Sequence, residues 1–169
     1  MPAFITDSLA SQHQRNDFSC GEVTLDDYLK KYAGQDQKRK EAAVFVYENQ
    51  GIVLGYYTLS AIHVDVSAFP EGVLKRLRLS SYPNKPATLL GRLAVDSRFK
   101  NEGVGKRLLV DALRRSYFQS TQIGSLAVVV DALNAAASSF YQHFGFIPLQ
   151  GYSKRLLLPM KTIKPLFDS

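Results

Sequence analysis

The chain holds one cysteine, no tryptophan and only three histidines in 169 residues. A lone Cys20 excludes an internal disulfide framework and suits a reducing compartment. His13, His63 and His143 fall at no spacing that builds a metal site, so no metal is expected. No apolar run nears the roughly 20 residues that span a membrane. The opening MPAFITDSLASQHQR lacks the basic-then-apolar layout of an export signal, so a cytoplasmic protein without membrane attachment is expected. Acidic residues are also short. Fifteen Asp and Glu stand against twenty-one Lys and Arg, a formal charge of +6, which favours polyanionic partners such as nucleic acid or phosphorylated cofactors. With 46% hydrophobic and 21% charged residues, the composition is that of a globule and not of a disordered tail. A single domain over residues 1–169 is expected.

Hydrophobic periodicity then orders the elements. Leu25, Tyr28, Leu29 and Tyr32 recur at helical spacing within residues 22–33. The β-rich runs AAVFVYE and IVLGYYTLSAIHV flank Asn49-Gln50-Gly51, a hairpin turn. EGVLKRLRL reads as a short basic helix, and SSYPNKP as a break before a strand over 88–96. A helix from Gly103 to Phe118 carries Val104, Leu108, Leu109, Ala112 and Leu113 on one stripe. SLAVVVDA is a buried strand, and residues 134–145 form a helix capped by Asn134 and stopped by Gly145. FIPLQ and KRLLLPM supply the last strands. The sum is a mixed α/β (α+β) layer sandwich, a central mixed β-sheet with flanking helices.

Between strand and helix lies RFKNEGVGKRLL. Gly103 and Gly105 let the chain turn tightly and let a ligand approach. The helix start aims unpaired N–H groups at that space, and Arg98, Lys100, Lys106 and Arg107 add positive charge. Together these features describe a phosphate cradle. A Walker loop would need Gly where Lys100 stands and Ser or Thr where Arg107 stands. A dinucleotide fingerprint would need a third glycine where Leu108 stands.

GRLAVDSRFKNEGVGKRLL resembles the strand and pyrophosphate loop, Gln/Arg-x-x-Gly-x-Gly/Ala, of GNAT-superfamily N-acetyltransferases, and VVVDALNAAASSFYQHFGF resembles their next strand and Phe-Tyr-x-x-x-Gly-Phe helix. That resemblance implies a GNAT fold with acetyl-CoA as acetyl donor. It places the pyrophosphate on the amides of Lys100, Asn101, Glu102, Gly103, Val104, Gly105 and Lys106, and the acetyl-pantetheine arm along the backbone of Leu93, Ala94 and Val95. Asn134, first a helix cap, would also touch that arm. Lys100 replaces the usual Gln or Arg, and Asn101 stands where many members have another Gly. FSCGEVTLDDYLKKYAGQDQ resembles the N-terminal segment of the TacT-like acetyltransferase toxins of toxin–antitoxin pairs. That likeness implies acetylation of the α-amine of aminoacyl-tRNA, arrest of translation, a ribbon-helix-helix antitoxin partner that alone brings contact with DNA, and a homodimer. Acetylation of small amines or protein N-termini, and a non-catalytic CoA- or RNA-binding regulator, are the other readings.

Acetyl transfer needs a neutral amine and a proton for the departing thiolate. Tyr141, in the Phe-Tyr step, is the candidate catalytic donor, since a phenol of pKa about 10 is protonated at neutral pH. The strand from Leu89 to Val95 carries an arginine and no carboxylate to act as base. An α-amine, with pKa about 7.7–8.0, is partly neutral at pH 7, whereas a lysine at about 10.4 is not. A site lacking a base therefore suits an α-amine. Arg92 shares a strand face with Leu90 and Ala94, where it either contacts substrate phosphate or terminal adenosine, or forms a buried ion pair. Lys38, Arg39, Lys40 and Arg78 are candidate tRNA-backbone contacts.

Overall fold

The computed structural model describes residues 3–168. Seven strands join in the order β1-β2-β3-β4-β5-β7-β6. They are β1 Asp7–Ser8, β2 Ala43–Asn49, β3 Ile52–Asp65, β4 Asn84–Val95, β5 Ala127–Asp131, β6 Ile147–Pro148 and β7 Arg155–Pro159. The helices are α1 Val23–Asp27, α2 Ala33–Lys38, α3 Glu71–Leu77, α4 Val104–Gln119, α5 Ala135–His143 and α6 Met160–Phe167. Packing groups the chain into two compact units, one of residues up to Ser60 with Leu90–Ala112, the other of Ala61–Leu89 with the residues from Leu113 onward. This is the expected mixed α/β architecture, a central sheet with flanking helices.

In the first unit the hairpin forms where alternation and turn chemistry place it. Phe45 faces Tyr57 and Val46 faces Tyr56 across β2 and β3, and Gln50 and Gly51 both take positive φ (52° and 86°) at the turn. Its core gathers Phe18, Leu29, Val44, Val46 and Tyr56. Asp111, buried on α4, ties the N-terminal segment down. It accepts from the Ile5 N–H at 2.9 Å and the Tyr57 hydroxyl at 2.8 Å, and from the Thr6 hydroxyl. The α4 stripe expected from periodicity is buried throughout, from Val104 to Leu113.

The helix expected over 22–33 is not continuous. A π-helical turn, Tyr28–Tyr32, separates α1 from α2, with the Ala33 N–H reaching back to the Tyr28 carbonyl. The wider turn adds a residue and rotates the downstream side chains by about 100°. Tyr28, Leu29 and Ala33 are buried, while Tyr32 swings out to 55% exposure.

In the second unit β5 lies antiparallel to β7, Val129 opposite Leu157, over a core that includes Phe69, Val73, Ala127 and Leu149. Strand β4 begins four residues earlier than the sequence pattern suggests, running through Pro86. Buried Lys85 anchors that start by donating to the Ser80 carbonyl and hydroxyl, both at 2.8 Å. Pro86 gives no N–H but its carbonyl accepts from Leu126 at 3.0 Å. Helix α6 has no counterpart among the elements expected from the sequence. Met160 and Ile163 pack inward while Pro165 sits within it, and that proline masks the pattern.

Candidate active site

In the first unit β4 runs out at Val95 into a 3₁₀ turn, Ser97–Phe99. Asp96, only 1% exposed, organises the exit. Its carboxylate accepts from the Arg98 N–H (2.9 Å), the Ser19 N–H (3.2 Å) and the Arg98 guanidinium (3.0 and 3.1 Å). Burial opposes ionisation of Asp96, but the Arg98 side chain and the two backbone donors outweigh it and hold its pKa below the ordinary carboxylate value. The Ser97 N–H bonds back to the Ser19 carbonyl at 2.8 Å. The loop base is thus stapled to the segment that carries Cys20.

Lys100, expected as a loop charge, turns its ammonium to the Cys20 carbonyl at 2.7 Å. Asn101 and Gly103 both adopt left-handed backbone, φ 67° and 78°, bending the chain into the start of α4. The Arg107 N–H already bonds the Gly103 carbonyl (3.1 Å), while the N–H groups just before it, of Val104, Gly105 and Lys106, belong to the first turn that an α-helix cannot pair internally. Glu102, Lys106 and Arg107 are exposed there. The geometry is that of an anion cradle.

Arg92 projects from β4 beside Leu93–Val95. Its guanidinium carbon lies 3.5 Å from the Tyr28 ring centre, and no carboxylate among the described residues pairs with it. The ion-pair alternative is therefore absent. Of the basic run at 38–40, Lys38 and Lys40 line an open cavity of about 700 Å³ together with Arg15, Lys30 and Lys31, while Arg39 does not. Sequence reasoning missed Arg15, Lys30 and Lys31. The last two lie on the same helical segment as Lys38, both about two turns back.

The second unit holds Tyr141, Asn134 and Arg78. Asn134 caps α5, its side-chain oxygen accepting the Ala137 N–H at 2.9 Å, and Gly145 ends the helix at φ 99°. Tyr141 is buried between Phe140 and Phe146, with ring centres 5.3 and 5.4 Å away. Its hydroxyl bonds no described residue, and burial pushes its pKa well above the usual phenol value. Burial thus favours the protonated hydroxyl at neutral pH. Asp131, the nearest carboxylate in sequence, is held by Arg155 through two bonds of 2.8 and 2.9 Å. Arg78 ends α3 in left-handed backbone, φ 50°.

Two other candidates recede. The Cys20 thiol, buried and donating to the Glu22 carbonyl at 3.6 Å, is pushed up to about 11, first by desolvation, which favours the thiol over the thiolate at neutral pH. Asp7, His13 and Glu48 bring ligand atoms within 4.8 Å of one another. However, His13 Nδ1 accepts the Ala10 N–H at 2.9 Å, which leaves the proton on Nε2 and removes the lone pair a metal needs there.

The acetyltransferase (GNAT) domain family matches residues 40–148. A tRNA-acetylating toxin of Mycobacterium tuberculosis is 36% identical over 149 residues, 88% of this chain and 87% of the toxin. The structure of AtaT complexed with acetyl-methionyl-tRNAfMet is similar at a TM-score of 0.88 with 30% identity, covering 98% of this chain and 99% of that one. A tyrosine-to-phenylalanine mutant of AtaT, bound to the C-terminus of the antitoxin AtaR and acetyl-CoA, matches at a TM-score of 0.80 with 28% identity over 97% and 98%. Among the described residues no helix is long and apolar enough to cross a membrane.

Proposed function

The chain belongs to the GNAT acetyltransferase family, and we propose that it is a toxin that moves acetyl from acetyl-CoA to the α-amine of aminoacyl-tRNA and so blocks translation. The observation that carries this reading is likeness over nearly the whole length, in both sequence and fold, to tRNA-acetylating toxins.

The residues fit the task. The left-handed bend at Asn101 and Gly103, with the amides from Lys100 to Lys106, suits the cofactor's pyrophosphate, and the charges of Lys106 and Arg107 reinforce it. The backbone of Leu93–Val95 is the segment to receive the pantetheine arm, with Asn134 as a further contact. Bound acetyl-CoA supplies an activated thioester. The neutral amine would attack the thioester carbonyl, forming the C–N bond as the C–S bond breaks. The Tyr141 hydroxyl, kept protonated by burial, would give its proton to the departing sulfur, and the proton shed by the new amide nitrogen would restore the phenol. No carboxylate is needed as base when the acceptor is an α-amine, because a usable fraction is already neutral near pH 7. Lys38 and Lys40, with the cations beside them, and Arg78 and Arg92 are positions for RNA phosphate. A ribbon-helix-helix antitoxin is the partner that restrains the toxin and carries it to DNA, and the working form is a cytoplasmic homodimer.

The test is to incubate the protein and labelled acetyl-CoA separately with charged tRNA, deacylated tRNA and peptides. Label should follow charged tRNA alone. Labelling of peptides or small amines in its place overturns the substrate, and no transfer with intact cofactor binding overturns the enzyme.

A further inference from the structure

Arg92 is a half-buried arginine on strand β4 whose donors are taken by no described residue. A half-buried guanidinium stacked on a ring, with no carboxylate beside it, keeps its N–H donors available for an acceptor brought by a ligand. Its surroundings hold it in one plane. Tyr28 packs against the guanidinium with the ring centre 3.5 Å from its central carbon, a stacking contact that uses a face and not the N–H donors. Tyr28 is itself fixed. Its hydroxyl donates to Asp36 at 2.8 Å, and its ring lies nearly parallel to that of Tyr56, 6.3 Å away and inclined by 17°. Tyr56 in turn donates to the Leu25 carbonyl at 2.7 Å, locking both rings onto the helical segment. The π-helical turn begins at Tyr28. Such turns cost regular hydrogen bonding and recur where a side chain must be aimed.

Resting on the acetyl-transfer reading above, we infer that the Arg92 edge binds a phosphodiester of the acceptor strand close to the amino acid, and that Tyr28 is a positioning residue that holds the guanidinium in plane for it. A planar fork fits two phosphate oxygens at once, which neither an ester carbonyl nor an adenine ring can match. The next residues along β4, Leu93–Val95, are the segment assigned to the acetyl arm under that reading, so Arg92 adjoins it in sequence.

The test compares wild type, Arg92→Ala, Tyr28→Leu, Tyr28→Phe and Tyr28→Leu/Arg92→Ala on two acceptors. These are charged tRNA and a 3′-aminoacylamino-adenosine that has no phosphate. Losing a charge-assisted phosphate contact should raise KM for charged tRNA about 10- to 100-fold in Arg92→Ala, with kcat moving far less. That loss should exceed the loss on the phosphate-free acceptor at least tenfold. The salt slope of tRNA binding should fall by about 0.7. Tyr28→Leu should show a smaller rise in KM of the same selectivity, Tyr28→Phe should recover most of it, and Tyr28→Leu should add under twofold once Arg92 is gone. Thermal melting monitors folding, and Tyr28→Phe keeps the ring in place should Tyr28→Leu unfold. Equal losses on both acceptors would assign Arg92 to the nucleoside and overturn the inference, as would additive effects of Tyr28→Leu and Arg92→Ala. Wild type that leaves both acceptors unmodified while binding acetyl-CoA overturns the acetyl-transfer reading itself.

Discussion

Replacing Gly55 by alanine should destabilise the first unit and disturb the acetyl-arm segment together. Gly55 pairs with Tyr47 in the hairpin, next to the register shift between Tyr47 and Glu48. A Cβ built there meets the Ala94 carbonyl oxygen and Leu108 Cδ1, each at 2.7 Å. Both distances fall about 0.7 Å short of ordinary contact. Leu108 is fully buried and cannot turn away, and the oxygen belongs to a strand backbone, so the strand must move. Overpacking of this kind costs about 1–3 kcal/mol. At this chain length that lowers Tm by about 2–12 °C. Because Ala94 lies in the segment assigned to the pantetheine arm, acetyl-CoA affinity should fall as well. Gly72→Ala is the control. It lies in α3 with nothing within 4 Å of the new methyl, and should gain about 0.4–1 kcal/mol from a stiffer unfolded chain. Calorimetric melting of both variants and titration with acetyl-CoA read out the contrast. A Gly55→Ala protein melting within 1 °C of wild type, or rising with Gly72→Ala, would refute the close approach of β3 to β4.

Tyr141→Phe removes only a hydroxyl from a packed ring, so acetyl transfer should fall about 10²- to 10⁴-fold while acetyl-CoA binding changes little. Single-turnover kinetics beside calorimetric titration decide this, and an unimpaired rate removes Tyr141 from the chemistry. Affinity for charged tRNA should drop steeply with salt while that for acetyl-CoA drops less, and Lys30→Gln with Lys38→Gln should flatten the tRNA slope by about 1.4 in filter binding. An unchanged slope would free the cavity of any RNA role. The Asp96 pKa is depressed on folding, so its stabilisation is present above the ordinary carboxylate pKa and is lost as pH falls through the lower folded value. Asp96→Asn should therefore cost about 1–3 kcal/mol at pH 7 but much less at pH 2–3, measured by urea unfolding. Equal cost at both pH values would contradict the depressed pKa.

How far the site could be read from the letters depends on how locally each feature is determined. The hairpin turn at Gln50-Gly51, the Asn134 cap and the bend at Gly103 each arise from one or two residues whose backbone preferences leave few choices, and each adopts the expected geometry. Gly105, expected as a second turn residue, instead lies within α4, and the other left-handed residue is Asn101. The helical segment ahead of them misleads for a physical reason. A period of 3.6 puts Tyr32 on the buried stripe, but the π-helical turn at Tyr28 inserts one residue and turns Tyr32 into solvent. No local preference announces that insertion, because what stabilises it is the packing of Tyr28 against Tyr56 and Arg92, far along the chain. Arg92 shows the same division. Strand alternation correctly puts it with Leu90 and Ala94 on the buried face, but alternation is silent about what lies opposite. A carboxylate there would have made Arg92 structural. An aromatic ring lies there instead and leaves its donors without a carboxylate, and that arrangement, which comes from packing and not from strand alternation, is the premise on which the proposed phosphate contact of Arg92 rests.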